Sequence, residues 1–247
     1  MSYCVGIRLQ DGMVFASDTR TNAGVDHVST FKKMYSFGVD GERAIFLLTA
    51  GNLATSQAVV SRLRRDIRQK AEGNLLVLPS LSEVVEMVGH LSAEVAYQTR
   101  QTAAMVQEGG GFGSTFLIGG QIRGEEPGLF FVYSEGNSIY ATRDTPFFQI
   151  GESKYGKPIL DRAIRYESNL DDAIRATLVS FDSTARSNLS VGFPIDLLVY
   201  KTNSFRLPTG KRITEEDPYM HTIRSEWSQG LLAILRSFDT PPPEYLA

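Results

Sequence analysis

The chain opens with SYCVGIRLQDGMVFASD, residues 2–18, and this stretch decides the fold. Two apolar segments flank the dipeptide Asp11-Gly12, which is typical of two-residue β-hairpin turns because a type I′ turn needs positive φ at both central residues. The pattern predicts two strands that return Asp18 to about the level of Val5. An acidic side chain is therefore expected within a few residues of Ser2, at one end of a sheet.

Strands and helices are predicted along the rest of the chain from the spacing of apolar residues. The strands are expected at residues 4–9, 13–17, 28–37, 44–50, 114–118, 129–133, 138–142, 147–151 and 195–200. The helices are expected at residues 53–70, 83–106, 152–166, 170–184 and 219–238. Two blocks of strands, each followed by two helices, indicate an α+β protein. Because the sequence shows no repeat and no linker, we expect a single domain over residues 1–247, with a C-terminal helical extension from about residue 212.

The composition argues against several classes of function. The 247 residues are 42% hydrophobic and 21% charged with a net charge of −3, as in a globular protein that does not bind nucleic acid. Cys4 is the only cysteine, which excludes an intrachain disulfide and fits a reducing cytoplasm. No apolar run approaches the roughly 18 residues of a membrane span. His27, His90 and His221 match no metal-ligand spacing, and the glycine-rich stretch 109–113 follows a predicted helix, unlike a phosphate-binding loop. We therefore expect no metal and no cofactor.

Ser2 is a candidate nucleophile because of its position. Only Met1 precedes it, and removal of Met1, which we expect before a small residue, would leave a hydroxyl and a free α-amine on one residue. An α-amine has an ordinary pKa of about 7.7–8.0, so it can accept a proton near neutral pH. A lysine starts near about 10.4, and bringing its pKa to about 7 would cost roughly 4–5 kcal/mol. We therefore favour the α-amine, directly or through water, as the proton acceptor.

Four short motifs follow one another along the first fifty-one residues. They are Ser2, Ser17-Asp18-Thr19-Arg20, Lys32-Lys33 and Ala50-Gly51. In this order they resemble the β-subunits of the proteasome, and residues 2–33 more closely resemble the bacterial proteasome-related family called Anbu. The segments GESKYGKPILDRAI (151–164) and RSNLSVGFPIDLLVY (186–200) extend the resemblance over nearly the whole chain. It implies the four-layer αββα sandwich of N-terminal nucleophile hydrolases.

The resemblance assigns a role to each of four residues. Ser2 would be the nucleophile, Asp18 the acid, Lys33 the lysine of the site, and the backbone N–H of Gly51 the oxyanion donor. Lys32 is the neighbour to be excluded, because the second of two adjacent lysines is the catalytic one in the family's motif. Adjacent residues of a strand point to opposite faces, which supports choosing only one of them. Lys33, within hydrogen-bond reach of Asp18 and near Ser2 Oγ, would mainly orient and stabilise charge, although the family's lysine is often given a direct part in proton transfer. We expect Lys33→Ala to abolish turnover with little loss of fold.

Several residues keep a structural alternative. Taken singly, Asp18 with Arg20 or Lys33 could be an ion pair without catalytic function, and Gly51 could be a turn. The chain also departs from the proteasome β-subunits, which use threonine at the Ser2 position and have Gly-Ser-Gly where this chain has residues 151–153. Their later Asp-x-x-Ser motif has no clean match here. The candidates for supporting residues are Arg20, Asp182, Ser187 and Ser190.

The function implied by the resemblance is that of a bacterial, cytoplasmic peptidase or amidase, a relative of the threonine-type endopeptidases. Such proteins are self-compartmentalising homo-oligomers that form rings or open spirals, act on peptides or unfolded proteins, and leave room for an ATP-dependent partner. The alternative is a weakly active or inactive structural ring subunit that binds or gates for other proteins. We assign two apolar surfaces to subunit contacts: the helix 53–70 and the segment containing Trp227, Leu231, Leu232 and Leu235.

Overall fold

The computed structural model describes residues 2–22, 28–104 and 111–245. The strands are β1 (Tyr3–Arg8), β2 (Gly12–Asp18), β3 (Arg20–Asn22), β4 (Val28–Thr30), β5 (Met34–Val39), β6 (Arg43–Gly51), β7 (Ser114–Ile122), β8 (Gly128–Val132), β9 (Ser138–Tyr140), β10 (Phe147–Gly151), β11 (Ile195–Lys201) and β12 (Lys211–Ile213). The helices are α1 (Leu53–Arg68), α2 (Leu81–Ala104), α3 (Lys157–Ala163), α4 (Leu170–Ser187) and α5 (Pro218–Ser237), followed by a 3₁₀ turn at Pro243–Tyr245. Met1, His27, the last two residues predicted for the second helix and the first two of the stretch 109–113 lie outside the described residues.

Two five-stranded antiparallel sheets stack face to face and carry helices on their outer sides. One sheet has the order β10-β1-β2-β11-β12 and the other β5-β6-β7-β8-β9. Between them lies a dry core in which the rings of Phe15 and Phe46 are 5.0 Å apart and those of Phe46 and Tyr200 5.5 Å apart. A second core joins the first sheet to α3, α4 and α5, and a third joins the second sheet to α1 and α2. The predicted αββα sandwich is confirmed.

The first hairpin has a different register from the predicted one. Cys4 pairs with Ser17, and the N–H of Leu9 donates to the carbonyl of Gly12 at 2.8 Å, so the turn residues are Gln10 and Asp11. Moving the turn by one residue shifts the pairing by two, which keeps every side chain on its predicted face. The shift carries Asp18 past Val5, the predicted level, to the level of Tyr3, directly beside Ser2.

The need for glycine at position 12 is not explained by the geometry of the hairpin turn. It is not among the glycines with positive φ, so a type I′ conformation does not explain it. A Cβ at this position would run into the backbone carbonyl of Tyr200, on the neighbouring strand β11. Close approach of another backbone, and not turn geometry, therefore demands glycine here.

Some predicted elements are interrupted, shortened or replaced because residues within them form other hydrogen bonds. The strand predicted at 28–37 is divided into β4 and β5, because Phe31-Lys32-Lys33 leaves the ladder and the N–H of Phe31 donates to the carbonyl of Thr19. The helix predicted at 152–166 contracts to α3, since the Glu152 side chain binds the next two backbone amides in a turn. Residues near 212, expected to start a helical extension, instead form β12, which pairs with β11.

The prediction that α1 offers an apolar surface for subunit contacts is wrong. Its apolar residues Val59, Val60 and Leu63 are buried in the core beneath the second sheet, so its outward face is polar and basic. The predicted apolar surface of the C-terminal segment is present, because Trp227, Leu231, Leu232 and Leu235 are all exposed, and its use in subunit contacts stays a prediction. Among the helices of the described residues, none has the length and apolar character to cross a membrane.

The close approach at Gly12 can be tested by a single methyl group. We expect Gly12→Ala to lower the free energy of unfolding by about 1–3 kcal/mol, because the β2–β11 pair must separate to admit the new Cβ. Gly111→Ala is the matched control, since an added Cβ there meets open space. Urea denaturation of both variants measures the effect. Equal midpoints for the two would contradict the assignment.

Candidate active site

The centre of the candidate site is the carboxylate of Asp18, at the last residue of β2. Its Oδ1 accepts the backbone N–H of Tyr3 at 2.8 Å and the Nζ of Lys33 at 2.8 Å. Asp18 is 0% and Lys33 3% exposed. The predicted contact between Asp18 and Lys33 is confirmed, and the pair is fully removed from water.

Lys33, and not Lys32, reaches this carboxylate because the chain leaves the strand geometry just before β5. The Nζ of Lys33 also donates to the carbonyl of Arg20 at 2.6 Å, and its own carbonyl accepts the N–H of Thr49 at 2.9 Å. Lys32 is exposed, with its ammonium 5.8 Å from the centre of the Tyr35 ring. The structure thus separates the two lysines as predicted, but residues 31–33 lie outside the strands, so alternation along a strand is not the reason.

Burial sets the electrostatics of Asp18. Loss of water raises the pKa of its carboxyl, whereas the Lys33 ammonium and the Tyr3 amide favour the carboxylate and oppose that rise. Its Oδ2 has no hydrogen-bond partner within the described residues. Breaking a buried pair leaves an uncompensated charge, so replacement of Lys33 is expected to cost stability as well as activity. This replaces the expectation that Lys33→Ala would leave the fold almost intact.

Ser2 is held at the start of β1 by the end of β10. It is half-buried, and its carbonyl accepts the N–H of Glu152 at 2.7 Å. Gly151 pairs with Tyr3 and has φ +84°, and a Cβ on it would collide with the Ser2 backbone. The N–H of Tyr3 and the Nζ of Lys33 donate to the same oxygen, Asp18 Oδ1, so the ammonium lies close to the residue that follows Ser2. No hydrogen bond joins Ser2 Oγ to Lys33 Nζ in the described part of the chain, so that contact stays a prediction.

Gly51 ends β6 at the same edge of the sandwich. It is exposed, has φ +102°, and a Cβ there would lie 2.7 Å from the carbonyl oxygen of Gly113. The neighbouring residues of β6 approach the Ser2 end: Cys4 Sγ is 3.5 Å from the Thr49 carbonyl, and Ala50 lies against Gly151. The N–H of Gly51, a residue without a side chain, therefore lies at the Ser2 end of the sandwich, and its function as an oxyanion donor stays a prediction.

Cys4 is buried in β1, as expected of a small apolar residue. Burial raises the pKa of its thiol, and the Asp18 carboxylate adds to that rise. The thiol therefore stays protonated beside the ion pair.

The four supporting candidates fall into different surroundings. Arg20 donates from Nη1 to the Leu189 carbonyl at 3.2 Å, and so fixes the loop between α4 and β11. The Asp182 carboxylate forms ion pairs with Arg224 at 2.7 Å and Arg186 at 3.1 Å, and the pair with Arg224 connects α5 to α4. Ser187 is exposed at the end of α4. The N–H of Ser190 donates to Asn188 Oδ1 at 3.0 Å, in the loop that Arg20 fixes.

Glu152 and Asn188 were missed as site residues. Glu152 is 5% exposed; its Oε1 accepts the N–H groups of Ser153 at 2.9 Å and Lys154 at 2.8 Å, and its Oε2 accepts Asn188 Nδ2 at 2.6 Å. Although burial acts to raise the pKa of this carboxyl, the three donors hold it below its ordinary value. In the sequence, Glu152 is marked only by the difference between residues 151–153 and the Gly-Ser-Gly of the proteasome β-subunits. That difference does not predict the hydrogen bonds of its carboxylate.

The described residues contain no group of His, Cys, Asp and Glu side chains that could hold a metal ion.

Comparison with known proteins identifies the class. The model of the family described as "Proteasome subunit" matches residues 2–199. No curated protein matches the chain. Among solved structures, the chain is similar to Anbu (ancestral beta-subunit) from Yersinia bercovieri, with 46% identity, a TM-score of 0.91, and coverage of 97% of this chain and 99% of that one.

Two further structures show the same likeness. The helical assembly of the Anbu complex from Pseudomonas aeruginosa gives 49% identity and a TM-score of 0.93 over 98% of this chain and 99% of that one. The Anbu (Gly-1) mutant from Hyphomicrobium sp. strain MC1 gives 45% identity and a TM-score of 0.90 over 98% and 100%. The chain therefore belongs to the proteasome subunit family, and within it to the Anbu proteins.

The buried pair predicts a large and pH-dependent loss of stability on removal of one partner. We expect Lys33→Met to lower the free energy of unfolding by about 3–5 kcal/mol at neutral pH, because Asp18 is then buried without its cation. Lys32→Met, at an exposed position, is the control and should change it by less than about 0.5 kcal/mol.

The pH dependence has a definite sign. Without Lys33 the pKa of Asp18 in the folded protein rises further above its unfolded value of about 3.9, so the folded state binds a proton that the unfolded state has released. Lys33→Met should therefore recover stability as the pH falls from neutral toward the unfolded pKa, whereas Lys32→Met, in which Lys33 still opposes the rise, should recover much less. Urea unfolding across this range provides the test, and parallel curves for the two variants would contradict it.

Proposed function

We propose that this chain is a peptidase or amidase whose nucleophile is the hydroxyl of Ser2 after removal of Met1. The observation that carries the proposal is the shared acceptor: Asp18 Oδ1 binds both Lys33 Nζ and the N–H of Tyr3, the residue next to Ser2. An amine and a hydroxyl on one residue, a positioned ammonium and an exposed backbone donor are the parts that acyl transfer needs.

In this mechanism the α-amine of Ser2 accepts the proton of the hydroxyl as Oγ attacks the substrate carbonyl. The N–H of Gly51 stabilises the oxyanion of the tetrahedral intermediate. The amine then returns the proton to the leaving nitrogen, and a water activated by the same amine hydrolyses the ester. Among the described residues, Asp18 and Arg20 use two of the three donors of the Lys33 ammonium, which leaves the third to orient Oγ.

The mechanism predicts which variants lose turnover of a fluorogenic peptide amide. Ser2→Ala should remove it, and Lys33→Ala should lower kcat by at least about 100-fold, because both alter groups at the reacting atom. Lys32→Ala should keep activity near wild type. Rates are compared at equal folded concentration, determined by circular dichroism. Loss with Lys32→Ala and retention with Lys33→Ala would show that the wrong lysine was assigned.

The state of the N-terminus gives an independent check on the mechanism. We expect the intact mass of purified, active protein to lack Met1, because the α-amine of Ser2 must be free. A peptide β-lactone, which acylates activated hydroxyls, should label the N-terminal tryptic peptide. Full retention of Met1 in active protein would refute the α-amine mechanism.

We further propose that the enzyme works as a self-compartmentalising homo-oligomer in the cytoplasm and acts on peptides or unfolded proteins. The second half of α5 leaves the body of the sandwich, and every residue from Gln229 to its end is exposed. It presents an apolar surface, which we name the α5 arm, formed by Trp227, Leu231, Leu232, Ile234, Leu235 and Phe238. Surfaces of this kind mark contacts between proteins, and a related Anbu protein is described as a helical assembly.

The α5 arm should hold identical subunits together. We expect Leu231→Glu with Leu235→Glu to reduce the mass measured by light scattering at micromolar concentration to that of a monomer, 27.3 kDa, because charges would be buried in the contact. Val77→Glu, at another exposed apolar position, is the control and should leave the assembly intact. A wild-type chain that is itself monomeric would refute the assembly.

The alternative function is a structural ring subunit with little activity that binds or gates for a partner, including an ATP-dependent one. The α5 arm serves that role equally well. The two are separated by the labelling experiment: a hydroxyl that stays unlabelled in an assembled protein lacking Met1 would favour the structural subunit.

A further inference from the structure

Glu152 is a buried carboxylate without a cationic partner. Three N–H groups satisfy it, from Ser153, Lys154 and Asn188, but no lysine, arginine or histidine side chain within the described residues forms an ion pair with it. A carboxylate has about four acceptor positions, so one remains after these three donors. Buried charges in proteins are ordinarily paired, and a cation is therefore expected here.

The position of Glu152 indicates where that cation arises. Tyr3 pairs with Gly151 in the β1–β10 ladder, so continuation of the register sets Ser2 opposite Glu152. The N–H of Glu152 donates to the Ser2 carbonyl at 2.7 Å, which confirms that the two residues face each other. Opposite residues of a hydrogen-bonded antiparallel pair have Cα atoms about 5.5 Å apart, so the backbone nitrogen of Ser2 lies within reach of the Glu152 side chain.

We propose that Glu152 is the counter-ion of the Ser2 α-ammonium and that it positions this group beside the nucleophile. The inference rests on the proposed function, because the ammonium exists on Ser2 only once Met1 is removed. Glu152 is then a positioning residue that also sets the protonation of the amine. Asn188 and the two amides hold the carboxylate in place for this contact.

The other charges around Ser2 cannot replace Glu152. On the β2 side, Asp18 is neutralised by Lys33. Arg20 turns its guanidinium toward Leu189 and Gly192. Lys154, on the β10 side, acts on Glu152 only through longer-range electrostatics. The carboxylate of Glu152 is thus the uncompensated charge that faces the new terminus.

An ion pair with Glu152 has a cost for catalysis. A neighbouring carboxylate favours the charged amine and raises its pKa above the ordinary value of about 7.7–8.0. Less of the amine is then free to act as a base at neutral pH. The chain would reach full activity only in more alkaline solution, and its activity near pH 7 would be low.

The experiment measures the amine itself and not turnover. Periodate oxidises a serine only when it carries a free α-amine beside its hydroxyl, and the reaction uses the unprotonated amine. Intact mass first establishes whether Met1 is absent from the purified protein, and the rate of periodate oxidation from about pH 5 to 9 then yields the pKa of the Ser2 amine. We expect Glu152→Gln to lower this pKa by about one unit or more.

Two further variants make the result unambiguous. Glu152→Ser is a second neutral replacement in case the glutamine variant misfolds, and Glu86→Gln, at an exposed position on α2, is the control that should leave the pKa unchanged. A chain lacking Met1 whose amine has the same pKa in all variants would overturn the inference and leave the proposed function standing. A shift in a chain that never turns over substrate would support the inference and refute the proposed function. Retention of Met1 would overturn both.

Discussion

Asp18 Oδ1 accepts one hydrogen bond from the backbone of β1 and another from Lys33, and both donors are buried. Removing a carboxylate and an ammonium from water costs several kcal/mol for each ion, and only close pairing offsets that cost. The two groups are therefore confined to one geometry. Because the backbone N–H belongs to Tyr3, this geometry also fixes where the chain enters β1, and hence where Ser2 lies.

The constraint extends from the ion pair to both sheets. Lys33 precedes β5 in the second sheet, whereas Asp18 ends β2 in the first, so their contact closes one end of the sandwich. Thr49 strengthens this end, since its N–H binds the Lys33 carbonyl and its carbonyl lies against Cys4. Thr49 is followed by the last residues of β6, so Gly51 lies at the same end of the sandwich as the ion pair. The site is thus a consequence of how the two sheets are joined.

Much of this could be predicted from the sequence, and the failures have identifiable causes. The helices and long strands were visible because apolar spacing is a local property, and local hydrogen bonds between Ser80 and Glu83 cap the N-terminus of α2. The register of the first hairpin was not local: Gly12 is dictated by Tyr200, which is distant in sequence. β3 and β12 have three residues each, too few for alternation to show.

The site divides in the same way. Asp18, Lys33 and Gly51 were located through the resemblance of their motifs, and the burial of the pair was not foreseen. Glu152 could not be recognised because its meaning depends on Asn188, which lies 36 residues further along the chain. Asp182 stands in the serine-rich stretch 181–190, where sequence alone could not show that it anchors α5 through Arg224.

Within the site, the residues that stabilise the fold are buried and the residues that would react are accessible. Asp18 and Lys33 are dry, while Ser2 is half-buried and Gly51 exposed, so a substrate carbonyl can approach one side of a preorganised charge without displacing it. Such a site orders its own groups but offers few side chains that could discriminate between substrates. Under the proposed function, selection must then come from access, and the α5 arm, which the sandwich itself does not bury, is the part of the chain available to build an enclosure. The outer face of α1 is polar and offers no such surface, so under the proposed function the assembly depends on α5 and the chemistry mainly on the first fifty-one residues.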